Sequence, residues 1–107
     1  MSDIGLLSAK ELSNTIQTGV TLIDFNAPWC GPCRSQDPII SEMEEAYTGK
    51  AMVAKVNIDK NQEIAMALGI QSIPTIILFK EGREVRRFIG LQSAETLSRA
   101  IGDALDD

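Results

Sequence analysis

Cys30 and Cys33 are the only two cysteines of a chain that has no histidine, and both lie in the stretch Trp29-Cys30-Gly31-Pro32-Cys33. Two thiols with two residues between them can close a disulfide without moving the rest of a fold, and reopen it. A pair that does so reversibly carries two electrons to or from another protein. The bland alternative is a structural pair, either a lasting disulfide or part of a zinc site. Two thiols supply half of the four ligands that structural zinc takes, and with no histidine nothing local completes the set.

Asp24 is the second candidate. It interrupts Leu22-Ile23-Asp24-Phe25, within a Val20–Phe25 run apolar enough for a strand covered on both faces. A lone carboxylate buried there is desolvated, which raises its pKa and makes it a credible proton acceptor. The alternative is an aspartate at a strand end, turned to solvent. Pro74 is the third. It reads either as an ordinary proline at a strand start or as a cis-proline, which is rare before any other observation is added.

The elements that would position these residues read as strand, helix, strand, helix, strand, helix, strand, strand, helix. A short extended segment ends at Leu6 or Leu7. Ser8 then caps a helix with Glu11 three residues on, a capping box, with Leu7 and Leu12 as a hydrophobic staple and Leu12 and Ile16 facing inward. A helix from Gly31 or Pro32 to Tyr47 carries an inner stripe of Ile39, Ile40, Met43 and Tyr47, and Pro38 inside it should kink it. Met52–Ile58 is a strand, and Asn61–Leu68 a short helix stopped by Gly69. Thr75–Lys80 and Glu84–Ile89 form a hairpin across Glu81-Gly82-Arg83. Ser93 caps a last helix with Leu97, Ala100, Ile101, Ala104 and Leu105 at helical spacing. The alternation predicts an α/β fold: a mixed sheet of about five strands, with a parallel core and a C-terminal antiparallel hairpin, flanked by four helices. Reactive groups in such sheets gather beyond the carboxyl ends of strands, where Cys30 follows Phe25.

Composition limits the partners. The 107 residues predict one domain over 1–107, with enough core to stand without a disulfide. With 10 basic and 15 acidic residues the net charge is −5, which argues against nucleic acid. No apolar run reaches membrane-spanning length and the first residues do not resemble a signal peptide. A cytoplasmic location is the resulting expectation, with no membrane partner, and a lasting structural disulfide is unusual there.

The chain resembles the thioredoxin family over nearly its whole length. The marks are Ile23-Asp24-Phe25, Trp29-Cys30-Gly31-Pro32-Cys33, Pro38, Val53-Ala54-Lys55-Val56-Asn57-Ile58-Asp59, Ile73-Pro74-Thr75, Leu78-Phe79-Lys80, Gly82 and Gly90. The resemblance implies a thioredoxin fold and a protein-disulfide reductase that needs no cofactor beyond its own Cys30–Cys33 disulfide. Cys30, at the start of its helix, would be exposed and attack as a thiolate stabilised by free backbone N–H groups and the helix dipole. Cys33, one turn inside and more buried, would resolve the mixed disulfide. Asp24 would take the proton of Cys33, moderated by Lys55, and Ile73–Pro74 would be cis and lie opposite the dithiol. Trp29, Gly31, Pro32, Ile73, Pro74, Ile89, Gly90 and Leu91 would form a modest apolar surface for an extended peptide. Gly31 and Pro32 carry no donor or charge to stabilise the thiolate further, which implies a reductant. The implied partners are disulfide-containing proteins and a flavin-dependent thioredoxin reductase drawing on NADPH, and the implied state is a monomer. Two other readings are a docking subunit that uses the fold alone, disfavoured by the intact dithiol, and a dedicated reductant of one enzyme pathway.

Departures from the family pattern are Asn26, where an aromatic residue is common, Pro28, and Ser35-Gln36-Asp37 in place of a more apolar run. Asp37, four residues beyond Cys33, shares its helical face. It either adds negative potential near the dithiol or is a solvated surface residue.

Overall fold

A computed structural model describes residues 8–106. The extended segment ending at Leu6 or Leu7, and Leu7 of the proposed staple, lie outside the described residues. The elements are α1 (Ala9–Thr15), β1 (Val20–Asn26), α2 (Gly31–Ala46), β2 (Met52–Asn57), α3 (Gln62–Ala67), β3 (Thr75–Lys80), β4 (Arg83–Ile89) and α4 (Ala94–Asp106).

The described strands form one sheet in the order β2-β1-β3-β4. Four strands are therefore described where about five are expected. Among the described strands β1 and β2 are a parallel pair, and β3 runs antiparallel to β1. β3 follows the 6-residue helix α3 and the connection 68–74, and it enters the sheet with Thr75 beside Phe25, at the carboxyl end of β1, so it runs the other way.

Local signals set most boundaries. The Ser8 capping box forms in both directions, Ser8 N–H to Glu11 Oε1 at 3.1 Å and Glu11 N–H to Ser8 Oγ at 3.3 Å. Beyond α3, the Gly69 N–H bonds Met66 O at 3.1 Å and the Ile70 N–H bonds Ala65 O at 2.9 Å, with Gly69 at φ +69°. That double closure is the Schellman stop, and it requires the left-handed residue that glycine supplies. Glu81 and Gly82 both have positive φ, 51° and 85°, as a two-residue hairpin turn needs, so β4 begins at Arg83 rather than Glu84.

Two cores lie on the two faces of the sheet. Leu22, Val53, Ile76 and Leu78 pack against Ile40 and Met43 of α2 and Leu97, Ala100 and Ile101 of α4. On the other face Ile23, Phe25, Val56, Ile77 and Phe79 meet Leu12 of α1, with Ile64 and Leu68 at the edge. Leu105 is expected in the α4 stripe but is more than a third exposed, while its neighbour Ala104 is buried. Tyr47, at the end of the α2 stripe, reaches α4, where its hydroxyl lies 2.6 Å from Ser98 Oγ.

Candidate active site

Cys30 is the N-cap of α2, with extended backbone (φ −89°, ψ 114°), and Pro32 occupies the first helical turn, where its missing N–H leaves no bond unmade. Cys30 and Cys33 are joined as a disulfide. Cys30 Sγ accepts the Cys33 backbone N–H at 3.2 Å, one of the donors that a helix start leaves free. It also lies 3.7 Å from the carbonyl oxygen of Ile73, a contact only, since a disulfide sulfur has no proton to donate. The peptide bond Ile73–Pro74 is cis.

The expected contrast in exposure between the two sulfurs is corrected. Cys30 is 5% exposed and Cys33 3%, both buried. The Ile73 carbonyl lies against Cys30 Sγ. The asymmetry is one of access: Cys30, and not Cys33, lines a groove of about 400 Å³ together with Trp29, Gly31, Pro32 and Ile73. The groove continues over Ile58, Ile70, Gln71 and Ser72, none of which is singled out by sequence reasoning. Trp29 is exposed, and its indole N–H donates to Asp59 Oδ2 at 2.9 Å. Gly90 joins the other side of the site: its N–H bonds Pro74 O at 2.8 Å, and its φ of +91° is one that a side chain would strain. The neighbouring Ile89 and Leu91 are exposed, as a contact surface requires.

Asp24 is fully buried, so the solvent-facing alternative is excluded. By alternation along β1 it follows Val20 and Leu22 on the face that α2 and α4 cover. Oδ2 accepts from Asn26 Nδ2 at 3.3 Å, and Oδ1 is buried without a hydrogen-bond partner among the described residues. Burial pushes the carboxyl up to about 6, opposed by the Asn26 hydrogen bond, assisted by the negative charge of Asp37 and opposed by Lys55. Lys55 is directly across from Asp24 in the β1–β2 register, as expected of a neighbouring partner. Its ion pair, however, is with Asp37, Nζ to Oδ1 at 3.1 Å. Asp37 is thus not a plain solvated residue: it is largely covered, and its negative charge acts on Asp24 behind the dithiol. It ties α2 to β2.

Sequence reasoning also misses Gln36, fully buried in α2, which bonds the backbone of Gln92 beyond β4. Only its helical spacing from Cys33 and Ile40 hints at burial. Among the described residues no group of three or more His, Cys, Asp or Glu side chains is placed to hold a metal ion. No described helix is long and apolar enough to cross a membrane.

A disulfide closed across the first turn of a helix, on a mixed sheet with helices on both faces, defines a thiol–disulfide oxidoreductase. A family model described as Thioredoxin matches residues 4–103, and the chain belongs to the thioredoxin family. It is 50% identical to a thioredoxin of Alicyclobacillus acidocaldarius over 84 residues, 78% of this chain and 80% of the relative. It is 43% identical to a thioredoxin of Chlamydia caviae over 98 residues, 92% of this chain and 95% of that one. A solved mutant thioredoxin of Halobacterium salinarum superposes with a TM-score of 0.86 at 34% identity, covering 98% of this chain and 95% of that chain. The chain is accordingly a dithiol–disulfide oxidoreductase of the thioredoxin kind, with its disulfide formed by Cys30 and Cys33.

Proposed function

We propose that the chain, as a single domain, reduces disulfides of other proteins with Cys30 as nucleophile and Cys33 as resolving thiol. Cys30 thiolate attacks one sulfur of the target disulfide. That bond breaks, the other target sulfur leaves as a thiolate and takes a proton, and a mixed disulfide joins Cys30 to the target. Cys33 then loses its proton to Asp24 and attacks Cys30 Sγ, so that the second target sulfur leaves and is protonated in turn. Two electrons have passed to the target, and Cys30–Cys33 is again a disulfide.

The observation that carries the assignment is the position of Cys30 Sγ, which caps α2, accepts the Cys33 N–H and lines the groove. A thiolate there is stabilised by the free N–H groups and by the dipole of a 16-residue helix. Asp24 is suited to accept a proton because it is buried on the α2 side of the sheet with one oxygen unpartnered. Lys55, across from it, tempers its charge. Trp29, Gly31, Pro32 and Ile73 line the groove with Cys30, and with Pro74 and Gly90 they serve as the surface that grips a target peptide. The open groove and the exposed Trp29 suit an extended segment held briefly and released.

The partners that follow are disulfide-containing proteins and, to recharge the dithiol, a flavin-dependent thioredoxin reductase using NADPH. A cytoplasmic monomer with no cofactor beyond its own sulfurs fits this reading. The test is trapping. Cys33→Ser should accumulate mixed disulfides on Cys30, and Cys30→Ser should abolish reduction of insulin with dithiothreitol as the recycling reductant. Full insulin-reducing activity in Cys30→Ser would remove the mechanism.

A further inference from the structure

Asp37 is one helical turn beyond Cys33, and it takes the Lys55 ammonium at 3.1 Å although Lys55 stands directly opposite Asp24 in the sheet. Asp24 meanwhile keeps a buried oxygen with no hydrogen-bond partner among the described residues. The cation best placed to neutralise Asp24 is held by a different carboxylate. We propose that Asp37 is a positioning residue for disulfide exchange: by holding Lys55 it withholds a counter-ion from Asp24, and so keeps that carboxylate basic enough to take the Cys33 proton. The inference rests on the reading of Asp24 as the proton acceptor given above.

The surroundings of Asp24 leave few other groups to set its charge. From β1 comes the neutral Asn26 amide, from β2 Lys55, and from α2 Asp37 and Cys33. β3 places Ile76 beside it, and α4 buries only Leu97, Ala100, Ile101 and Ala104. Lys55 and Asp37 are therefore the charges that act on Asp24 from neighbouring elements, and they act in opposite directions. Their side chains are only 11% and 28% exposed, so salt and water screen them weakly. A cation at close range moves a carboxyl down by about 1–3 units. A cation already paired with an anion acts as a dipole and does much less. Asp37 acts by its own negative charge and, more, by occupying Lys55. A purely structural ion pair between α2 and β2 would instead affect stability and leave the protonation of Asp24 where it was.

The experiment follows the carboxyl carbon of Asp24 by NMR against pH in the oxidised protein, where no thiol titrates. Asp37→Asn should lower its midpoint by about one unit, because Lys55 is then free to turn to the unpartnered oxygen. Asp37→Glu should restore it. In a Lys55→Gln background, Asp37→Asn should move the midpoint less than half as far, as two changes acting through one contact must. The acid limb of the exchange rate should shift down with the midpoint. An Asp24 midpoint unmoved by Asp37→Asn overturns the proposal, as does an equal shift with and without Lys55. If the midpoint moves but neither Asp37→Asn nor Asp24→Asn alters the rate profile, Asp24 is not the proton acceptor, and the role given to Asp37 falls with it.

Discussion

The Gln36 amide and the Gln92 backbone bond each other in both directions: Oε1 accepts the Gln92 N–H at 2.7 Å, and Nε2 donates to the Gln92 carbonyl at 3.0 Å. Gln36 is fully buried and Gln92 half-buried, so water competes only weakly for these bonds. They fasten α2, which carries both cysteines, to the segment after β4, which Gly90 in turn fastens to Pro74. The two sides of the site are thereby held at a set distance.

Gln36→Leu keeps the bulk of the side chain and removes both bonds, leaving a backbone donor and acceptor short of partners. The expected cost is about 2–4 kcal/mol, read from urea unfolding of the oxidised protein. Because the Gly90 segment is loosened, KM for a protein disulfide should rise more than kcat falls. A stability within about 0.5 kcal/mol of the parent would show that the pairing contributes little.

The burial of Asp24 makes stability depend on pH in an unusual direction. Its carboxyl titrates near 6 when folded, against 3.8 in an unconstrained chain. Between those values the folded state holds a proton that the unfolded state has released. The Asp24 contribution to stability therefore falls as pH rises from about 4 to about 6, by roughly 3 kcal/mol in total, and then levels off, while the lowered carboxyls of Glu11 and Glu84 act in the opposite sense. Asp24→Asn should abolish that slope and leave the protein more stable than the parent at pH 8. Denaturant unfolding of parent and variant at pH 4, 6 and 8 checks both statements, and a stability difference between the two that does not change across the window would contradict them.

Much of this arrangement is legible in the sequence, for physical reasons that are local. Ser8 with Glu11, Gly69 after a short apolar helix, and Glu81-Gly82 between two strand patterns each dictate a backbone shape within a few residues. Asp24 stands out because a carboxylate in an apolar run has few places to go. The direction of β3 is not legible, since it depends on where α3 and the loops on either side of it deliver the chain. Nor is the choice that Lys55 makes between two carboxylates, one across the sheet and one on a helix, because only packing decides it. Ile70 reaches the groove, and Asp59 the Trp29 indole, from loops whose composition says nothing of where they lead.

The Trp29–Asp59 bond offers a test of how the contact surface is held. An exposed hydrogen bond adds little to folding, so Asp59→Ala should cost less than about 1 kcal/mol. The indole, however, loses the 2.9 Å bond that fixes its orientation beside Cys30. A target would then have to order it on binding, at about 0.5–1.5 kcal/mol, which is a rise in KM of roughly two- to tenfold with kcat little changed. Trp29 is the only tryptophan, so its fluorescence reports the same loosening directly. An unchanged KM and an unchanged emission spectrum would remove the indole bond from the binding surface.

Reaction of the reduced protein with a small alkylating agent tests the division of labour between the sulfurs. Exposure alone does not separate them, for both are buried in the oxidised form. What separates them is the surrounding chemistry. Cys30 faces the groove and accepts a backbone N–H at the positive end of α2, an arrangement that favours its thiolate. Cys33 lies within the helix, on the side that carries Gln36 and Ile40 into the core, where a buried negative charge is disfavoured. Iodoacetamide at neutral pH should therefore modify Cys30 at least about tenfold faster than Cys33, since both thiolate fraction and access favour the first. Mass spectrometry of the singly labelled protein locates the modification. Asp24→Asn should leave the Cys30 rate within about twofold while slowing closure by Cys33, as the proposed role of the carboxylate in the second step requires. Label found first on Cys33 would reverse the assignment of nucleophile and resolving thiol.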